Sequence, residues 1–90
     1  KAKRLALVLG HTIYLNGVDI AEFLSNRAWL LHELKHIEQY SAYGTIPFLY
    51  NYLMETVKNG YRNNCFEIEA RLAENDHDLL LRYDISHYMK

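Results

Sequence analysis

Hydrophobic and polar positions change period along the chain, and the changes mark its elements. Leu5 to Leu9 is an unbroken apolar run that Gly10 interrupts, and His11-Thr12-Ile13-Tyr14-Leu15 then alternates β-branched and aromatic residues up to the turn dipeptide Asn16-Gly17. This predicts a hairpin or two short strands. The second strand, His11 to Leu15, has no proline and suits a sheet edge that offers backbone donors and acceptors to an extended peptide. From Asp19 the spacing becomes helical. Asp19 with Glu22 three residues on forms a capping-box pattern and predicts a short helix over Ile20 to Leu24. Ser25-Asn26 offers a fresh N-cap to a second helix, Arg27 to Tyr43. Trp29, Leu30, Leu31, Leu34 and Ile37 lie at helical spacing there, with Lys35, Glu38 and Gln39 on the other side. Gly44 ends it at the left-handed cap position.

Thr45-Ile46-Pro47 reads as the next start, with Thr45 as cap and Pro47 in the first turn, where its missing donor does no harm. That helix runs to about Lys58, has an apolar stripe of Phe48, Leu49, Tyr52, Leu53 and Val57, and stops at Asn59-Gly60. After the loop Tyr61 to Asn64, the stretch Cys65 to Asn75 predicts a further helix with Phe66, Ala70 and Ala73 on one side. Asp76 to Lys90, with Leu79-Leu80-Leu81, Tyr83, Ile85 and Tyr88, predicts a last helix packing back over the core. No repeat, low-complexity stretch or linker interrupts this order. The expectation is an α+β fold, a short N-terminal β-hairpin or edge strand followed by three to four packed helices, in one domain over residues 1–90.

Ninety residues can bury one core, and a composition half hydrophobic with eight tyrosines is that of an ordered chain. The net charge of −1, with both signs interspersed, offers neither a nucleic-acid footprint nor a polybasic membrane patch. No apolar run reaches the ~18 residues of a membrane span. Lys1-Ala2-Lys3-Arg4 before Leu5 to Leu9 resembles the start of a signal peptide, but the run is too short and lacks a small-residue cleavage site. The one cysteine, Cys65, cannot close an internal disulfide. It is expected to be a small buried residue, and its isolation fits a reducing, cytoplasmic setting.

Chemistry enters with His32-Glu33-Leu34-Lys35-His36, an HExxH pattern inside the second helix. Residues four apart lie one above the other on a helix, so His32 and His36 can both aim a ring nitrogen at one metal ion, with Glu33 beside them. Both flank Leu34 in an apolar helix, where unpaired imidazoles are costly. A catalytic zinc takes three protein ligands and keeps a further position open. His11, His77 and His87 are candidates for the third, but none follows His36 at the short spacing of a third-histidine site. The carboxylates Glu67 and Glu69 are better placed.

HELKHIEQY, a Tyr-Gly and Pro-aromatic helix start, and NNCFEIEARLA together resemble the gluzincin metallopeptidases, particularly their very small single-domain members. The likeness covers most of the chain, from Gly10-His11-Thr12-Ile13-Tyr14 to about Ala73. It implies a zincin-like fold, a zinc cofactor and a third ligand from the ExEAD-type helix motif, which falls here on Glu67. The residue expected to be an aspartate accepting a ligand histidine's second ring proton is Arg71, which cannot accept it. Glu69, Glu74, Asp76 or a backbone carbonyl would have to do so. Glu67 also stands three residues after Asn64, so it fits a capping box as well.

The activity implied is zinc-dependent hydrolysis of peptide bonds in a peptide or protein. Glu33 would be the general base that takes the proton of a zinc-bound water and passes it to the leaving nitrogen. A developing oxyanion needs another donor. Tyr61, His11, Tyr40 and the tail histidines can each provide one, and Tyr61 is selected. An extended substrate would pair antiparallel with His11 to Leu15, in a shallow cleft that a chain this small can build. The competing reading is a non-catalytic, zinc-stabilised helical domain whose aromatic faces bind a partner protein. Retention of Glu33 favours the first reading and Arg71 favours the second.

Overall fold

A computed structural model of the chain describes residues 4–82. The fold is α+β. Two antiparallel strands, β1 (Leu5–Leu9) and β2 (Thr12–Asn16), lead into packed helices α1 (Ile20–Ser25), α2 (Arg27–Tyr43), α3 (Thr45–Asn59) and α4 (Cys65–Leu72). Two 3-10 segments, Ala73–Asn75 and His77–Arg82, follow. The hairpin register pairs Leu9 with Thr12 and Leu5 with Asn16, so Gly10 and His11 form the turn and β2 starts one residue later than its alternation implied. Gly10 takes φ +62 at the first turn position, a conformation open to glycine without a Cβ clash.

Polar side chains set the helix starts. Asp19 accepts from the Glu22 amide at 2.7 Å, Asn26 from Trp29 at 3.2 Å and Asn64 from Phe66 at 2.8 Å. Thr45 is not a cap. Gly44 occupies that place with φ +87 and ψ 152, ending α2 and starting α3 with no side-chain bond. The helix begun at Cys65 tightens after Leu72, where the Asp76 amide closes a 3-10 turn onto the Ala73 carbonyl at 2.9 Å. The final predicted helix is a 3-10 segment anchored by buried Leu79. The rest of that stretch, with Tyr83, Ile85, His87 and Tyr88, lies outside the described residues.

Helix α2 is the axis of the molecule, packing against β1, α1, α3, α4 and both 3-10 segments. Leu31, Leu34 and Ile37 are fully buried in a core shared with Val8, Ile13, Phe23 and Phe48. Burying each such side chain contributes roughly 1.5–3 kcal/mol. Rings then tie three helices together: Phe48 of α3 lies 4.6 Å from Tyr40 of α2 and 4.9 Å from Phe66 of α4, edge to face. Gln39 is buried, not on a solvent face, because α4 covers it. The stripe on α3 buries Phe48 and half-buries Leu49 and Tyr52, but leaves Leu53 and Val57 exposed, Val57 at 77%. Cys65 is exposed at the first turn of α4. No helix among the described residues is long and apolar enough to cross a membrane.

Candidate metal centre

One helical turn sets the imidazoles of His32 and His36 side by side, their ring centroids 5.1 Å apart. Glu67 reaches them from the first turn of α4, whose start is fixed to α3. The Asn64 amide group donates to the Tyr52 carbonyl at 3.1 Å and the Thr56 hydroxyl at 2.9 Å, and the Cys65 amide donates to Glu55 at 3.2 Å. Held there, Glu67 Oε1 lies 3.0 Å from His32 Nε2 and Oε2 lies 3.1 Å from His36 Nε2. The Tyr52 hydroxyl donates to Oε2. The Glu67 carboxylate therefore points into the centre instead of closing a capping box, and the Asn64 amide bonds the Tyr61 carbonyl.

The outer ring nitrogens have partners that fix their protons. His32 Nδ1 lies 2.8 Å from Glu74 Oε2, and a carboxylate only accepts, so Nδ1 carries the hydrogen. His36 Nδ1 lies 2.9 Å from Gln39 Oε1. The Gln39 amide nitrogen donates to the Phe66 carbonyl at 3.1 Å and to Glu69 at 2.7 Å, which orients its oxygen toward the ring. With both Nδ1 atoms turned outward to acceptors, the two Nε2 atoms and a carboxylate converge, His32 Nε2 sharing a proton with Glu67 at 3.0 Å where a metal would take the proton's place, and these ligand atoms all lie within 4.8 Å of one another. Such a set of electron-pair donors repels itself unless a cation sits among them. A proton answers that need in part; a metal ion with nitrogen and oxygen ligands answers it fully.

The electrostatics agree. Burial alone would lower the pKa of His32, but the carboxylates of Glu67 and Glu74 raise it to about 9. Burial acts the other way on Glu67, and the two imidazoles and Tyr52 hold its carboxyl well below the usual range. Glu33 is pushed up to about 7 by burial, against the pull of the His36 and His32 charges. Burial and the Glu67 charge raise Tyr61, so its hydroxyl keeps its proton at neutral pH.

His32, His36 and Glu67 form a group able to hold a metal ion. No family model, no curated protein and no solved structure matches the chain.

A cleft of about 300 Å³ opens on it, walled by Ala6, Leu7 and Val8 of β1, by Phe48, Leu49, Tyr52 and Leu53 of α3, and by Tyr40 and Tyr61. Glu33 lines it beside His32, His36 and Glu67 while only 7% exposed. The strand at the cleft is β1, not the predicted His11 to Leu15, because β1 packs on α2 and β2 covers its other side. Among the donor candidates, Tyr61 stands at the cleft, whereas the Tyr40 hydroxyl is committed to the Val8 carbonyl at 3.2 Å. His11 meets Ser41 at 2.9 Å and lines no part of the cleft, nor does His77. Glu69 supports Gln39 and does not join the ligand group; Arg71 turns outward to the Arg62 carbonyl. Sequence reasoning missed Tyr52 and Gln39. Tyr52 was legible as a polar-tipped ring on an inward stripe; Gln39 was not, because in the period of α2 it falls on the polar side and only α4 covers it.

Proposed function

We propose that this protein is a zinc-dependent peptidase of the gluzincin type, with His32, His36 and Glu67 as ligands and Glu33 as general base. The observation that carries this reading is the convergence of two Nε2 atoms and a buried carboxylate, with a second buried carboxylate beside them, at the floor of an open cleft. Zinc held there would supply Lewis acidity toward water and toward an amide carbonyl.

The chain's own residues do the rest. Glu33 takes a proton from water as its oxygen attacks the carbonyl carbon, then delivers it to the amide nitrogen as the carbon–nitrogen bond breaks. Tyr61, which keeps its hydrogen, donates to the carbonyl oxygen as charge develops on it. β1, paired on one side only among the described residues, offers its free edge along Ala6 to Val8 to an extended peptide backbone. The small cleft suits a loose or extended segment of peptide chain.

One feature favours the partner-binding reading: Ile46, Tyr50, Leu53, Met54 and Val57 present an exposed apolar stripe at helical spacing on α3. A peptide library digested by zinc-loaded protein, followed by mass spectrometry, separates the two. Cleavage that stops on chelation and returns with zinc is expected. Stoichiometric zinc without cleavage of any peptide would leave only the partner-binding reading.

A further inference from the structure

The motif resembled by α4 places an aspartate four residues after the ligand glutamate, and Arg71 stands there, exposed and bonded to the Arg62 carbonyl. Both imidazoles are nonetheless held. We propose that Glu74 is the positioning residue for His32 and that Gln39, itself fixed by Glu69, is the positioning residue for His36. The inference rests on the metal-site reading above and goes beyond it, since neither residue touches the ligand group's inner face.

The geometry separates the two roles. Glu74 comes from the 3-10 turn Ala73–Asn75 that follows α4, so tightening of the chain after Leu72 brings a carboxylate to Nδ1 of His32 at 2.8 Å. A carboxylate there orients the ring and raises its basicity as a ligand. Gln39 lies one turn beyond His36 on α2, and its amide nitrogen is bonded to both Phe66 and Glu69, leaving the oxygen to accept from the ring. It fixes orientation without adding charge. The 3-10 turn is thus part of the metal site, and buried Ala73 and Leu79 on either side of Glu74 anchor it to the core.

Zinc affinity, measured by competition with a chromophoric chelator on the full chain, tests this, with visible spectra of the cobalt-substituted protein as a signature of ligand geometry. Glu74→Ala is expected to weaken zinc binding by about 10–100-fold. Glu74→Gln, which keeps an acceptor but no charge, should fall between it and wild type, and Gln39→Leu should weaken binding and alter the cobalt spectrum. Melting of the metal-free variants, compared with wild type, identifies any loss that is merely one of folding. Wild-type affinity and spectrum in Glu74→Ala and in Gln39→Leu would overturn the proposal while leaving the metal site standing. Absence of zinc binding by wild type would overturn both.

Discussion

Replacing Glu67 by alanine removes an acceptor shared by two histidines and a tyrosine. Deleting one partner of a buried charged pair costs about 3–5 kcal/mol, and the lower end applies here because His32 opens on the cleft and can rehydrate. For a domain of this size, about 3 kcal/mol corresponds to a fall of roughly 12–24 °C in the melting temperature of the metal-free protein. Zinc adds a second readout. At a hundredfold excess over its dissociation constant, a ligand bound only to the native state stabilises by about 2.7 kcal/mol, which is roughly 11–22 °C on the same scale. Wild type should show that rise in a thermal melt with added zinc, and Glu67→Ala should show almost none. Glu69→Ala should keep it in large part, since Glu69 reaches the centre only through Gln39. A full zinc-dependent rise in Glu67→Ala, or its loss in Glu69→Ala alone, would refute the ligand assignment.

Tyr52→Phe leaves Glu67 without its hydroxyl donor and should destabilise the metal-free protein by about 1–2 kcal/mol in urea unfolding; no change would show that the bond to Glu67 contributes nothing. Asn64 is fully buried, caps α4 and joins it to α3, so Asn64→Ala should cost about 2–3 kcal/mol and lower zinc affinity by loosening Glu67, both read by melts with and without zinc. Leu34→Ala empties a site between the histidines on the core side of α2. A loss of about 2–5 kcal/mol with one zinc still bound per chain is expected from chemical denaturation and metal analysis.

From β1 to α4, element identity was legible because local signals and burial agree there. Asp19, Asn26 and Asn64 each cap the helix that follows them, and α2 begins and ends where its apolar period does. Glu67 was singled out by the likeness of its helix to a known motif, not by periodicity, and the fold brings it to the two histidines. What was not legible depends on packing between elements. Gln39 looks solvated in the period of α2, and only the approach of α4 buries it and turns it into a partner for His36. The exposed half of α3 reads as core because periodicity reports amphipathicity, not what covers the apolar face. β1 and β2 are equivalent as edges until the hairpin docks on α2. Glu74 lies three residues past Arg71, and a change from α to 3-10 geometry is what carries it to His32.

The most direct measurement of the central claim is the turnover of a peptide found to be cleaved by wild type, repeated with Glu33→Gln at equal zinc content. Glutamine keeps the shape at a position lining the cleft but cannot take or return a proton. A fall in kcat of about 10²–10⁴ with zinc still bound is the expected result. Equal turnover by the two proteins would contradict the assignment of Glu33 as general base and of this centre as a catalytic one.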